Sequence, residues 1–84
     1  MSTIIETITA GGKLKETVEI MYKDNNGRVV TTETEPYEIR NGTYICWCYL
    51  RNRRVEILLK NIIDAVLIGK AYTPRFHVDF DDSF

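Results

Sequence analysis

The stretch Tyr44-Ile45-Cys46-Trp47-Cys48-Tyr49-Leu50-Arg51 carries the strongest structural signal in this 84-residue chain. Neighbouring side chains of a strand point to opposite faces, so residues 44, 46, 48 and 50 would share one face and residues 45, 47 and 49 the other. Both faces are then largely apolar, which is typical of a strand covered on both sides. The pattern predicts a central strand.

This strand runs into an arginine-rich turn, Arg51-Asn52-Arg53-Arg54. Guanidinium groups beside exposed aromatic rings suit anionic, planar ligands such as nucleotides. Strand order would bring this turn to the same end of the sheet as the Asp24–Gly27 turn. We therefore predict a basic rim that binds phosphates, with one tyrosine available to stack on a base if it is exposed. The predicted rim consists of Lys23, Arg28, Tyr49, Arg51, Arg53 and Arg54.

A plainer interpretation of the rim is that its charges only solvate the turns of a small domain. Glu33, Glu35 and Glu56 interleave with the positive charge, which disfavours a continuous nucleic-acid groove. Single-stranded nucleic acid or a nucleotide is the partner that the first interpretation implies.

Length and composition indicate one small soluble domain. Eighty-four residues suffice for a single modest core, and 44% hydrophobic with 27% charged residues is ordinary for a globular chain. No apolar run is long enough to span a bilayer and no secretory signal is visible, so we expect a cytoplasmic protein without membrane contact. A chain this small would gain stability from pairing edge strands into a homo-oligomer such as a dimer, so an assembly module is an alternative to a ligand-binding one.

The sequence offers little support for catalysis, a cofactor or a metal. It has no glycine-rich phosphate loop and no Ser-His-Asp arrangement. Cys46 and Cys48 point the same way along a strand, and His77 is remote from both. We expect buried structural thiols, no metal site, no cofactor and no enzymatic activity.

The N-terminal third predicts a helix and a hairpin. Thr3 and Glu6 form a capping box, so we expect a short helix near residues 3–10 that ends at Gly11-Gly12. Alternation in residues 17–22 predicts a strand with residues 18, 20 and 22 facing inward. The sequence Asp24-Asn25-Asn26-Gly27 is then a hairpin turn.

The remaining segments complete a mainly β pattern. Residues 28–39 form a strand bent at Pro36, and Arg40-Asn41-Gly42 is a second turn. A fourth strand points residues 55, 57 and 59 inward, and residues 62–68 form a last strand ended by Gly69. Five or six short strands with tight turns predict a small β-barrel with a short N-terminal helix, spanning residues 1–75.

The order of these elements resembles the WYL domain family over about residues 13 to 76. The matching features are Tyr22, Gly27, Pro36, Asn41-Gly42, Leu50-Arg51, Arg54, Ile62 and Tyr72-Thr73-Pro74. The resemblance implies an SH3-like or Sm-like β-barrel that serves as a non-enzymatic ligand-binding or regulatory module.

The chain departs from the family pattern at two places. It reads Thr43-Tyr44-Ile45-Cys46 where the family has Trp-Tyr-Leu. It reads Ile57-Leu58-Leu59-Lys60-Asn61-Ile62 where the family has Phe-Arg-x-x-Arg-Ile. The two arginines that the resemblance implies as ligand contacts are thus replaced by Leu58 and Asn61.

Residues 76–84 form an acidic, aromatic tail. Residues 1–75 carry 11 basic and 9 acidic side chains, whereas the tail carries three aspartates and no Lys or Arg. The tail is similar to the acidic tip of bacterial single-stranded-DNA-binding protein, which implies docking to a protein partner through Phe80, Asp81, Asp82 and Phe84. The alternative is that Phe76, Val78 and Phe80, spaced by two, add an edge strand or cover the barrel.

Overall fold

The computed structural model describes residues 2–80. Helix α1 spans Ser2–Leu14, and the strands are β1 (Glu16–Lys23), β2 (Val29–Arg40), β3 (Thr43–Cys48), β4 (Arg53–Leu58) and β5 (Ile62–Ala71). A short 3-10 helix, Leu59–Asn61, joins β4 to β5. No helix in this part of the chain has the length and apolar character needed to cross a membrane.

The five strands form one antiparallel sheet in the order β4-β3-β2-β1-β5. This arrangement confirms the mainly β, SH3/Sm-like fold class with a short N-terminal helix. The barrel is open, however, because within residues 2–80 the outer strands β4 and β5 do not pair with each other. The aromatic strand β3 is hydrogen-bonded on both sides as predicted, while β2 occupies the middle of the sheet.

The predicted turns and the bend in β2 are confirmed. Gly27 has a φ of 79° and its N–H donates to the Asp24 carbonyl at 3.0 Å, which closes the β1–β2 hairpin. Asn41 and Gly42 both have positive φ, as a tight two-residue hairpin turn requires. The β2–β3 register shifts between Pro36 and Glu38, so the missing N–H of proline coincides with a bulge.

The expectation that Gly11-Gly12 ends the helix is wrong, since α1 continues to Leu14. Both glycines are buried and serve close packing. A Cβ on Gly11 would collide with the Val18 side chain, and one on Gly12 would collide with the Phe80 ring. The chain leaves the helix at Lys15, which has a φ of 58°.

The expectation that Gly69 ends the last strand is also wrong. Strand β5 continues to Ala71, and Gly69 with a φ of 82° lies inside a bulge. There, residues 16 to 18 of β1 face residues 67 to 71 of β5, so β5 carries two extra residues. A glycine at this position is compatible with either the end of a strand or a bulge within it. The pairing with β1 decides for the bulge.

The core lies between α1 and the inner face of the sheet. The predicted inward residues of β1 are buried, and Ile8 of α1 packs among them. Ile57 is buried and Val55 is partly buried as predicted, whereas Leu59 is buried from the 3-10 helix rather than from a strand. Cys46 and Cys48 are free and buried, as expected. Burial raises the pKa of the Cys46 thiol, which makes it a poor nucleophile.

The chain after β5 covers the outer face of the sheet. This C-terminal segment, residues 72–80, forms no strand but is fixed at both ends by hydrogen bonds. Tyr72 N–H donates to the Lys15 carbonyl at 3.0 Å, and Asp79 N–H donates to the Tyr37 carbonyl at 2.8 Å. Phe80 then returns to the core against α1. Residues 76–80 therefore cover the sheet, as one of the two interpretations predicted, and they do not add an edge strand.

Candidate functional site

A cleft of about 290 Å³ opens between β4 and the end of β1, where the sheet does not close into a barrel. It is bounded by the β1–β2 turn, the turn before β4, strand β4 itself, and the 3-10 helix. Its lining residues are Tyr22, Lys23, Asp24, Asn25, Asn26, Arg51, Arg53, Val55, Glu56, Ile57, Leu58 and Asn61.

Positive charge exceeds negative charge in this cleft. Lys23, Arg51 and Arg53 line it together with the carboxylates of Asp24 and Glu56. Arg51 Nη2 lies 3.8 Å from Asp24 Oδ2, a long separation for an ion pair. The formal balance of +1 and the loose pairing leave cationic groups available to an anion.

The carboxylate of Asp24 is held by the turn rather than by the arginine. Its Oδ1 accepts the backbone N–H groups of Asn26 and Arg28, both at 2.9 Å. A hydrogen bond with the Tyr22 hydroxyl raises the pKa of Arg51, so this guanidinium keeps its charge. Backbone N–H groups of the turn therefore hold the Asp24 carboxylate, and the Tyr22 hydroxyl is the main hydrogen-bond partner of Arg51.

The structure brings together three of the six predicted rim residues. Lys23, Arg51 and Arg53 line the cleft, but Arg28 is exposed outside its lining. The Arg54 guanidinium lies over the Phe76 ring, 5.9 Å from its centroid, on the face covered by the C-terminal segment. Tyr49 is half-buried and its hydroxyl donates to Glu35 Oε2 at 2.8 Å. Tyr49 consequently does not stand beside the cleft.

A second polar cluster lies on the outer face, around the carboxylate of Glu35, which is 2% exposed. The hydroxyl of Tyr37 donates to Oε1 and that of Tyr49 to Oε2, each at 2.8 Å. Arg75 adds two further hydrogen bonds, and its guanidinium stacks 4.3 Å from the Trp47 ring centroid. Every oxygen of this buried carboxylate is thereby paired, as a buried charge requires.

Burial and the neighbouring carboxylate change the acidity of these tyrosines. Burial, with the hydrogen bond to Glu35, raises the pKa of Tyr37 to about 12, and the same causes raise the pKa of Tyr49 to about 12. Burial also raises the pKa of Tyr72 above its usual range. All three phenols remain protonated donors at neutral pH. The cluster therefore holds the C-terminal segment on the sheet and is not suited to transfer protons.

The predicted docking tail is only partly described. Phe80 is 8% exposed and packs against α1, so it is not a free docking side chain in this fold. Asp81, Asp82 and Phe84 lie outside the described residues. His77 is exposed in the C-terminal segment. Among residues 2–80, no group of three or more His, Cys, Asp or Glu side chains could hold a metal ion.

Sequence reasoning assigned a binding role to only three of the twelve residues that line the cleft. Asn25 and Asn26 were interpreted only as turn formers, yet both line the cleft. Leu58 and Asn61 line it too, and they are the two positions where the WYL resemblance implies ligand-contacting arginines. The resemblance was therefore the sequence signal that pointed to the end of β4 and the 3-10 helix as part of a ligand site.

Comparisons with known proteins agree with this fold. No protein-family model matches the sequence, and no curated protein matches it. Among solved structures, the chain is similar to proteasome accessory factor B/C (PafBC) of Arthrobacter aurescens, with a TM-score of 0.75 and 18% identity over 95% of this chain. It spans only 13% of that protein's chain. At this identity the likeness shows the fold, and it supports the WYL-related fold that the order of elements predicts.

Proposed function

We propose that this chain is a non-enzymatic regulatory module whose open cleft binds a phosphate-bearing ligand, either single-stranded nucleic acid or a nucleotide. The observation that carries the proposal is the convergence of Lys23, Arg51 and Arg53 on one cleft. Lys23 ends β1, Arg51 lies in the turn before β4 and Arg53 begins β4, so residues distant in sequence line the same cleft.

The cleft's chemistry suits a phosphate with an attached polar base. Arginine forks and a lysine ammonium pair with phosphate oxygens. Asn25, Asn26 and Asn61 offer amide donors and acceptors, and Val55 and Ile57 offer apolar surface. The volume is at the lower end of small-molecule pockets, which run from about 300 Å³ upward. One nucleotide, free or within a strand, is the unit that fits.

The WYL resemblance supports the same place from a different direction. It implies ligand-contacting arginines at the positions of Leu58 and Asn61, and both positions line the cleft. In this chain those arginines are absent, and Arg51 and Arg53 stand across the same space. We infer that the cationic function of the cleft has moved to the turn before β4.

Fluorescence anisotropy with labelled single-stranded DNA and RNA tests the proposal. The variant Arg51→Glu/Arg53→Glu is compared with Lys15→Glu/Arg40→Glu, which changes net charge equally at exposed positions outside the cleft lining. We expect about a tenfold or greater loss of affinity for the cleft variant and little change for the control. Equal loss in both variants, or no binding by the wild type at low salt, would overturn the proposal.

Salt dependence counts the cations that contact phosphate. Three contacts predict a slope of log affinity against log salt of about −2 for a single strand. For Arg51→Glu/Arg53→Glu this slope should be smaller in magnitude, because fewer cations contact phosphate. Competition by a free nucleoside triphosphate separates the two ligand classes, because a site for a free nucleotide releases the oligonucleotide and a site that needs a strand does not.

A gain-of-function pair tests the resemblance. Leu58→Arg and Asn61→Arg place guanidinium groups at the two implied contact positions, one of which is 44% exposed and able to accept a charge. We expect tighter binding of the same oligonucleotides. Unchanged or weaker binding would separate this cleft from the ligand site that the resemblance implies.

A protein-docking role for the tail remains an alternative proposal. It rests on Asp81, Asp82 and Phe84. The described contacts favour the cleft instead, because Phe80, the fourth predicted docking residue, packs in the core. Loss of partner capture on Phe84→Ala, with oligonucleotide binding absent, would favour the alternative.

A further inference from the structure

One carboxylate oxygen of Asp24 is left without a hydrogen bond in the cleft. Its Oδ1 accepts the N–H groups of Asn26 and Arg28, whereas its Oδ2 has no hydrogen-bond donor among residues 2–80. Arg51 Nη2 lies 3.8 Å from Oδ2, which is beyond hydrogen-bond distance. The Asp24 side chain is 11% exposed, so folding removes most of its hydration. A donor supplied by a ligand would complete the hydrogen bonding of Oδ2.

The position of this oxygen is fixed before any ligand binds. The Asp24 N–H donates to the Arg28 carbonyl at 2.8 Å, and the Asp24 carbonyl accepts the Gly27 N–H at 3.0 Å. Two further backbone N–H groups hold Oδ1. Main chain and side chain are therefore both held by the turn, and a group that is ordered in advance loses little entropy on binding.

The charges of the cleft restrict where a phosphate can lie. A carboxylate repels a phosphate, so the phosphate belongs beside Lys23, Arg51 and Arg53. Because Oδ2 of Asp24 lies next to Arg51, a ligand that satisfies both groups carries a hydrogen-bond donor close to its phosphate. The requirement is for one donor, since Oδ1 is already occupied.

The sugar 2′-hydroxyl of a ribonucleotide is the donor that meets this requirement. It is attached to the carbon next to the one that bears the 3′ phosphate, whereas the N–H groups of a base lie beyond the sugar. A guanine edge would also need both carboxylate oxygens for its paired N–H groups, and only Oδ2 is open. Carboxylates bind ribose hydroxyls in this way in dinucleotide-binding folds.

We infer that Asp24 Oδ2 accepts a hydrogen bond from a ribose 2′-hydroxyl, so that the cleft selects ribonucleotides over deoxyribonucleotides. The inference rests on the proposed phosphate-binding function of the cleft and narrows its ligand to RNA or a free ribonucleotide. The 2′-hydroxyl is the group by which a protein distinguishes RNA from DNA at a contact.

Strands that differ only at the 2′ position test the inference from the ligand side. Fluorescence anisotropy compares a labelled RNA oligonucleotide with its 2′-fluoro form. Fluorine keeps the sugar conformation of RNA but cannot donate a hydrogen bond. We expect the wild type to bind the RNA about tenfold more tightly, as expected for one hydrogen bond to a charged group.

Asp24→Asn tests the inference from the protein side. The asparagine Oδ1 can accept the same two backbone N–H groups, so the turn is kept, while an amide nitrogen replaces Oδ2. We expect the preference for RNA over the 2′-fluoro strand to fall to about twofold or less, because the charged acceptor is lost. Affinity for the 2′-fluoro strand should rise, because a negative charge beside Arg51 is gone.

The matched control is Glu56→Gln, which removes the same charge from the same cleft at an exposed position. It should raise affinity for both strands and leave the preference for RNA unchanged. Competition with ATP and 2′-deoxy-ATP separates the two sources of ribose. A site for a free ribonucleotide releases the labelled RNA more readily to ATP, and a site that needs a strand releases it to neither.

The outcomes distinguish this inference from the function on which it rests. Equal wild-type affinity for the RNA and the 2′-fluoro strand, or equal competition by the two nucleotides, overturns the inference and leaves phosphate binding intact. A preference that Asp24→Asn keeps, or that Glu56→Gln abolishes, also overturns it, because another group would then contact the hydroxyl. Absence of binding by any strand overturns the proposed function together with the inference.

Discussion

The Arg75 guanidinium holds both carboxylate oxygens of Glu35, with Nε 3.0 Å from Oε1 and Nη2 3.3 Å from Oε2. The two residues are 40 positions apart in sequence, so this pair joins the C-terminal segment to the middle strand of the sheet. Phe76 follows at once and packs edge-on against Tyr37, with ring centroids 5.3 Å apart. The segment is thus an integral layer of the domain.

Removing Arg75 should loosen that layer. In Arg75→Ala the Glu35 side chain, 3% exposed, keeps its two tyrosine donors but loses its counter-charge, which is costly for a buried carboxylate. We expect a lower urea midpoint and a changed Trp47 emission spectrum, since the guanidinium no longer covers that ring. The matched control is Arg40→Ala, which also removes an arginine from an ion pair, but the Arg40 side chain is 66% exposed and its partner Glu38 is 17% exposed, against 3% for Glu35. Equal losses of stability in both variants would contradict the structural role of Arg75.

Gly12 and Phe80 should show strong coupling. Gly12→Ala places a methyl group into the Phe80 ring, and overpacking of this kind costs about 1–3 kcal/mol of unfolding free energy. Phe80→Ala alone should cost about 3–5 kcal/mol by leaving a cavity. In the Phe80→Ala background the clash is gone and alanine is the better helix former by about 1 kcal/mol, so Gly12→Ala should become neutral or stabilising.

The measurement is a double-mutant cycle from urea unfolding of the wild type, both single variants and the double variant. Strict additivity of the two substitutions would show that Phe80 does not occupy the space above Gly12.

Three glycines, Gly11, Gly12 and Gly69, show which features local sequence signals cannot predict. Periodicity and turn chemistry predicted the β1–β2 hairpin, the Asn41-Gly42 turn and the bend at Pro36, because each depends on residues close in sequence. Gly11-Gly12 and Gly69 carry the same local signal as a terminator. Their actual roles depend on Val18, Phe80 and β1, which are distant in sequence and could not enter the prediction.

The candidate site divides in the same way. Topology predicted a shared rim for Lys23, Arg28, Arg51, Arg53 and Arg54, because antiparallel order fixes which turns are neighbours. Of these five residues, Lys23, Arg51 and Arg53 line the cleft. Topology could not place Tyr49 or Arg54. The partners of both residues lie on the face of the sheet that the C-terminal segment covers. The sequence of that segment has no regular pattern, so its path over the sheet could not be predicted.

A buried hydrogen bond between β2 and β3 gives a graded prediction. Thr34 donates to the Val18 carbonyl at 2.7 Å, so the Tyr44 hydroxyl must be the donor in its 2.8 Å contact with Thr34. Thr34→Val leaves a fully buried phenol without an acceptor, which should cost about 2 kcal/mol of unfolding free energy. Tyr44→Phe keeps the Thr34 bond to Val18 and should cost about 1 kcal/mol.

The double variant Thr34→Val/Tyr44→Phe should cost less than the sum of the single variants, since no unpaired phenol remains. Chemical denaturation of the four proteins measures this. An equal cost for the two single variants would indicate that water or another group satisfies Tyr44.

Alkaline pH should unfold the domain through its tyrosines. Burial, with the hydrogen bond and charge of Glu35, raises the pKa of Tyr37 and of Tyr49 to about 12, while an unfolded tyrosine titrates near 10. Between these values the folded state holds protons that the unfolded state has released, so rising pH lowers the free energy of unfolding. Stability from these groups is complete below about pH 10 and is lost as pH rises through about 12.

Near-ultraviolet absorbance should show tyrosinate forming together with unfolding, and Tyr37→Phe/Tyr49→Phe should lose less stability between about pH 8 and 11 than the wild type. Full tyrosine ionisation near pH 10 in a chain that is still folded would show that these hydroxyls do not donate to Glu35.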